Sequence, residues 1–283
     1  MSGFSADWLT LREPFDIRAR NPFVLEAVAV SLATYSPIRV VDLACGTGST
    51  FRALGARLPS RQNWKLVDND LGLLARAKAT QHSQNVVINA VPLDLNRDLE
   101  AALDGPVDLV TTSALLDLVS ESWLDRLAVE IATRAIPFYA ALSYNGFIDL
   151  VPADPLDAAV IAAVNAHQHT DKGFGPALGP AAATTAIARF ESLGYSVRHG
   201  RSDWLIGPDE RDIQIEILSG WASAAREIDA LTLADAAAWF TRRRDIVTAG
   251  RSSLRIGHVD IFATPIGTRR ADRSQSNSTS SSI

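Results

Sequence analysis

The chain has 283 residues, of which 47 % are hydrophobic and 21 % charged, so it holds ample material for a buried core and is not wholesale disordered. Its 27 Lys and Arg against 32 Asp and Glu leave a formal net charge of -5, which offers a phosphate backbone no general attraction; no nucleic-acid partner is expected. A single cysteine, Cys45, excludes an internal disulfide and a multi-cysteine zinc site. Asp7, Glu13, Pro14 and Asp16 interrupt the opening residues, so neither a signal peptide nor a membrane span is expected. The composition predicts a soluble, cytoplasmic protein without a membrane partner.

In chain order, residues 1–37 form a helical cap: one or two short helices, then a clear helix over 22–34 opened by Asn21-Pro22 and stopped before Pro37. From Ile38 strands and helices alternate. Strands are predicted at 38–43, 65–68, 86–90, 107–112 and 138–142, with helices at about 49–58, 71–80, 96–103 and 120–133. Such alternation implies parallel neighbours joined by right-handed crossovers, a doubly wound α/β sheet.

Beyond it, 155–166 reads as a helix, a Gly- and Pro-rich loop follows, and 181–193 is a helix stopped by Gly194. Residues 195–206 alternate like a half-exposed strand, two helices occupy about 210–226 and 233–248, and 254–264 is the final strand. The expected whole is one domain, 38–267. It has a seven-stranded, mostly parallel sheet whose last strand is antiparallel, N-terminal helices, and helical insertions at 146–180, a hinged lid, and at 209–250. The Ser-rich stretch 268–283 is expected to be a disordered tail. The apolar positions of 210–248 pack on the sheet or pair in a homodimer, and Arg242-Arg243-Arg244 reads as an exposed helix face.

Val40-Val41-Asp42-Leu43-Ala44-Cys45-Gly46-Thr47-Gly48-Ser49-Thr50 carries the chemistry. A strand runs into a two-glycine turn and a helix starts at once, which suits close approach of a ligand to free N–H groups or a tight turn without ligand. No Lys follows Gly48, against a Walker A loop, and Phe51 stands where a dinucleotide fingerprint needs Gly or Ala.

The order Asp42-x-x-x-Gly46-x-Gly48 resembles motif I of the class I S-adenosylmethionine-dependent methyltransferases, a Rossmann-like family. Val67-Asp68-Asn69-Asp70, Pro92-Leu93-Asp94-Leu95 and Val107 to Leu116 resemble its next motifs in order, over residues 20–145 and more loosely 195–264. The resemblance implies S-adenosyl-L-methionine as cofactor. Asp68 would hold the ribose hydroxyls, beside Asn69, and Asp94 with Leu95 would meet the adenine. Asp42, Ala44, Cys45, Gly46 and Gly48 would form the loop around the cofactor, and Ser113 would end the strand that faces the methyl group. Asp42 either contacts the cofactor or braces the loop, Asp70 caps the next helix, and Cys45 fills space in the loop. Arg12, Arg18 and Arg20 lie ahead of the first strand. One of them, Arg20 foremost, could meet the methionyl carboxylate, or all three could be a solvated face.

The acceptor would sit beyond the carboxyl ends of the fourth and fifth strands, near Ser113, Leu116, Asp117, Ser143, Tyr144 and Asn145. Candidates for a base or substrate contact are His167, His169, Tyr144 and Asn145. The His167-x-His169-x-Asp171 run offers no fixed facial geometry, so no metal is expected. No Asn-Pro-Pro-Tyr or Asp-Pro-Pro-Tyr run marks the fourth strand, against amide or adenine N-methylation. The leading reading is methyl transfer to a small-molecule substrate. A macromolecule (protein or RNA) methyltransferase and a non-catalytic cofactor-binding regulatory protein stay open.

Overall fold

A computed structural model describes residues 4–79 and 83–267; the tail expected over 268–283 lies outside the described residues. Two helices open the chain, α1 (Ala6–Ala19) and α2 (Pro22–Leu32). Ser5 Oγ accepts from the Trp8 amide to start α1, and Asn21 Oδ1 accepts from the Phe23 and Val24 amides to start α2, with Pro22 in the first turn. The N-terminal stretch is thus one helix of 14 residues that accommodates Pro14 internally.

The alternating part follows as β1 (Ile38–Leu43), α3 (Ser49–Leu54), β2 (Gln62–Asp68), α4 (Leu71–Lys78), β3 (Val86–Pro92), α5 (Leu99–Ala102), β4 (Leu109–Ser113), α6 (Glu121–Thr133) and β5 (Phe138–Val151). Then come α7 (Asp157–Gln168), α8 (Ala182–Ser192), β6 (Tyr195–Arg201), β7 (Trp204–Ile206), α9 (Arg211–Glu227), α10 (Leu233–Thr248) and β8 (Ser253–Pro265). The sheet order is β3-β2-β1-β4-β5-β8-β6, with β7 also on β8. β1 pairs in parallel with β2 and β4, β2 with β3, and β4 with β5, while β8 runs antiparallel to β5, β6 and β7. The chain reverses its direction of travel across the sheet between β1 and β4, and the crevice at that switch point is where ligands of such sheets bind.

Helices cover both faces. Val41 and Val110 pack with Leu99, Trp123, Leu127 and Phe190 on one side; Val40 and Leu109 pack with Val28, Phe51, Trp64 and Leu74 on the other. Adjacent strand residues go to opposite faces because the pleat alternates, and both faces are apolar because both are covered.

Two strands depart from the sequence pattern. β5 continues nine residues past its expected end at 142, to Val151, and shifts register against β8 after Ala140 and again after Tyr144. Leu142 and Gly146 adopt positive φ at these bulges, and the turn-forming residues there mask the strand in the sequence. The expected single strand over 195–206 is interrupted at Ser202-Asp203, so the sheet counts eight strands. Its halves keep one register on β8, Arg201 opposite Val259 and Trp204 opposite Ile256.

The β5 extension, β7 and β8 hold a third apolar cluster against α7, α9 and α10, with Ile148, Trp204, Ile213, Trp239 and Ile256 inside it. Arg243 belongs to this interior. Its guanidinium is wholly buried, paired with Asp157 and donating to the Pro152 carbonyl, which corrects the exposed-face reading at Arg243, while Arg242 and Arg244 are exposed as expected. A buried cation needs such a partner, and the partner lies 86 residues away.

Candidate functional site

The glycine loop sits where β1 ends. Ala44, Gly46 and Gly48 all take positive φ, and Gly48 is the N-cap of α3. Glycine adopts that region freely, whereas Ala44 does so at a cost the surrounding contacts must offset. Cys45 N donates to the Val67 carbonyl (3.0 Å) and Gly48 N to the Cys45 carbonyl (2.8 Å). Asp68, at the end of β2, fixes the loop: its Oδ2 accepts from Gly46 N at 2.8 Å and its Oδ1 from Asp70 N at 3.0 Å.

Asp42 is fully buried, and both of its carboxylate oxygens lack a hydrogen-bond partner. Burial pushes its carboxyl up to about 8, with Arg20 pulling the other way. Arg20, just after α1, is 4 % exposed. Its nitrogens donate to Tyr139 Oη (3.2 Å), Thr50 Oγ1 and Ser113 Oγ (both 3.4 Å), while Nε has no partner. Burial works against its charge, and Tyr139 and Asp260 outweigh burial to hold it protonated. Tyr139 in turn donates to Asp260 (3.2 Å), which also accepts from Leu142 N and Asn21 N. Arg20 is therefore inside the molecule, and the solvated-face alternative does not apply to it.

Helix α1 lies over the loop. Leu9 Cδ1 comes within 3.2 Å of where a Cβ on Gly46 would stand, and Arg52 of α3 pairs with Glu13 while donating to the Thr47 carbonyl (2.5 Å). Asp70 caps α4 through Gly72 N and Leu73 N. Asn69 and Asp94 are exposed at the ends of β2 and β3, and Asp94 Oδ1 accepts from Asn96 N (3.0 Å). Leu95 is buried, its carbonyl accepting from Trp123 Nε1. Cys45 is buried too, and burial raises its thiol far above the usual range, so it is packing and not a nucleophile.

A cavity of about 440 Å³ opens beside the β4 and β5 ends. Ala114 and Asp117 come from the turn after β4, Leu142 and Tyr144 from β5, Trp8 and Arg12 from α1, Val164 and Gln168 from α7, Ile217 and Trp221 from α9, and Trp204, Ile256 and His258 from β7 and β8. Tyr144 is thus placed in it, although its hydroxyl donates to Asn165 Oδ1 at 2.7 Å. Asp117, expected at the same strand ends, lines it too, whereas Asn145, His167 and His169 do not. Asn145 turns away to accept from Phe147 N, His167 pairs with Glu227 at 2.9 Å, and His169 meets the Ala177 carbonyl. Val164 and Gln168 of α7 line the cavity and the two histidines do not. Trp8, Trp204, Trp221 and His258, which the sequence did not single out, join Asp117 and Tyr144 in the lining. A lone tryptophan or histidine in an alternating stretch carries no mark of this; the five-element convergence does.

Residues 40–136 match the family model described as a methyltransferase domain. The match runs from β1 to the end of α6 and, with the sheet order above, is consistent with a class I, Rossmann-like methyltransferase. Among solved structures it is similar to a cyclopropane-fatty-acyl-phospholipid synthase-like protein from Lactobacillus casei, at 14 % identity over 92 % of this chain and 94 % of that one, TM-score 0.52. It is also similar to an S-adenosylmethionine-dependent methyltransferase from Thiobacillus denitrificans in complex with S-adenosyl-L-homocysteine, at 16 % identity over 92 % and 99 %, TM-score 0.44. The likeness to the Lactobacillus protein is one of fold. No curated protein sequence matches the chain significantly. Among the described residues no helix is long and apolar enough to cross a membrane.

Proposed function

We propose that this enzyme transfers the methyl group of S-adenosyl-L-methionine to a small-molecule acceptor held in the cavity over the β4 and β5 ends. The observation that carries the cofactor assignment is the pair of buried, incompletely bonded groups under the glycine loop, Asp42 Oδ1 and Oδ2 and Arg20 Nε. Native proteins rarely leave such atoms without partners, and their opposite charges suit the ammonium and carboxylate of an amino-acid moiety. The residues present therefore fit the cofactor.

Arg20 would hold the carboxylate and Asp42 the ammonium, while Asp68, which keeps lone pairs beyond those bonded to Gly46 and Asp70, would take the ribose hydroxyls. Asp94, exposed after β3, would face the adenine amine, with Leu95 beneath it, and Asn69 would border the ribose. When bound, the cofactor supplies an activated methyl on a sulfonium. The protein's task is then alignment: α1 closes over the loop on one side and lines the cavity on the other, which excludes water from both.

Calorimetry with S-adenosylmethionine and S-adenosylhomocysteine tests the cofactor assignment; binding to the wild type that is lost in Asp68→Ala is expected, and absence of wild-type binding rejects it. Labelled cofactor incubated with extract should place label in the small-molecule fraction. Label in protein, RNA or lipid instead rejects the acceptor class.

A further inference from the structure

Burial grades the cavity from rim to floor. Phe4, Ser5 and Glu216 are exposed at the mouth, whereas Asp117, Tyr144, Trp204 and His258 are each 6 % exposed or less. The buried floor groups differ in what they donate and accept. Tyr144 already donates to Asn165, and Trp204 Nε1 to Asp16 Oδ1 (3.1 Å). Arg12 binds both oxygens of Asp16 through Nε and Nη2 and lies 4.9 Å over the Trp204 ring, so its charge is compensated. His258 Nδ1 faces the Ile256 carbonyl at 3.1 Å, and a carbonyl only accepts, so the ring proton sits there and Nε2 keeps a lone pair. Asp117 Oδ1 takes a long contact from Tyr144 N at 3.5 Å, and its own amide and the Arg12 charge also favour the carboxylate, but Arg12 is paired with Asp16 and not with Asp117.

The floor thus offers the Asp117 carboxylate and the His258 lone pair as acceptors, while the Tyr144 hydroxyl and the Trp204 indole N–H are engaged inside the protein. A buried carboxylate without its own ion-pair partner is costly, and a ligand that brings both a positive charge and N–H donors relieves that cost. Glu216 at the mouth adds a second carboxylate, and Trp8, Trp204 and Trp221 give flat apolar walls, the first two already carrying the Arg12 guanidinium against a ring face. Burial holds the Asp117 carboxyl up at about 6, and burial together with the Arg12 charge keeps His258 neutral, lowered to about 3, so His258 enters as an acceptor only.

We propose that the acceptor is a primary or secondary amine on an apolar, ring-sized body, bound as its ammonium with Asp117 against the nitrogen, and that Asp117 is the catalytic base. This rests on the methyltransferase reading above. The ammonium passes one proton to the Asp117 carboxylate, and the freed nitrogen lone pair takes the methyl group from the sulfonium, whose bonding pair returns to sulfur. The methylated nitrogen keeps the positive charge, and Asp117 releases its proton to water.

The test is calorimetric binding of three near-isosteric probes, 2-phenylethylamine, 2-phenylethanol and 3-phenylpropionate, to the full chain saturated with S-adenosylhomocysteine. The amine should bind at least about tenfold more tightly than the alcohol, with the carboxylate weakest. In Asp117→Asn the gap between amine and alcohol should close to about threefold or less, while S-adenosylhomocysteine still binds and so reports a folded protein. The wild-type ranking decides the matter even if that variant fails to fold. Equal binding of amine and alcohol, no binding of any probe, or an amine preference that survives Asp117→Asn overturns the proposal. Failure of S-adenosylhomocysteine to bind the wild type instead removes the cofactor reading itself.

Discussion

Replacing Asp68 with alanine separates what this carboxylate does for the fold from what it would do for the cofactor. Its two oxygens accept the Gly46 and Asp70 amides at 2.8 and 3.0 Å, tying the glycine loop to the start of α4. A hydrogen bond to a charged group contributes about 1.5–3 kcal/mol, and Asp68 is only half-buried, so water partly replaces it. The expected loss for the two bonds is therefore about 2–4 kcal/mol, near the lower end of their sum. Asp68→Asn keeps one acceptor oxygen and should lose about half of that. Urea unfolding followed by tryptophan fluorescence measures this, and calorimetry on the same samples measures S-adenosylhomocysteine affinity, expected to fall about a hundredfold in the alanine variant. An alanine variant within about 0.5 kcal/mol of wild type would refute the loop-clamp argument. Retained affinity in a folded variant would refute the ribose role independently.

Arg243→Met leaves Asp157 buried without its cation and should destabilise the protein by about 3–5 kcal/mol in denaturant unfolding; adding Asp157→Leu should recover most of the loss, and additive losses would contradict the ion-pair account. Gly46→Ala imposes a side chain at φ +54 and pushes on Leu9, so a loss of about 1–2 kcal/mol and weaker S-adenosylhomocysteine binding are expected, and an unchanged unfolding midpoint would show that the loop relaxes freely. Asp42 gives a pH signature. Its folded carboxyl keeps its proton up to about 8 against 3.8 for an ordinary one, so the folded state binds more protons between those values and stability falls as pH rises across them. Relative to Asp42→Asn, the wild type should lose ground steadily from pH 4 to pH 8 in unfolding titrations; a constant difference would mean that Asp42 is ionised throughout.

The βα alternation from Ile38, the helix caps at Asn21 and Asp70, and the two-glycine turn were all readable because each is local: apolar period and turn chemistry act over a few residues. The strand order with an antiparallel β8 followed from the family resemblance carried by Asp42, Gly46, Gly48 and Asp68. What the sequence could not reveal depends on partners far apart in the chain. Arg243 looks like one of three surface arginines until Asp157 is brought to it, and Arg20 looks like one of three near α1 until Tyr139 and Ser113 surround it. The β5 extension pairs with β8 more than a hundred residues later, and only that pairing creates the wall carrying His258. His167 and His169 were plausible bases by residue type, yet His167 pairs with Glu227 and His169 meets the Ala177 carbonyl, while Val164 and Gln168 line the cavity.

The sequence by itself thus determined the class of the protein, because the glycine loop and the acidic strand ends encode their own geometry within short spans. The tertiary structure decided which distant groups join Asp117 and Tyr144 at those strand ends. The cavity there is closed by α1, α7, α9 and the β5, β7 and β8 ribbon, and its character exists only once Asp117 and His258 are buried together.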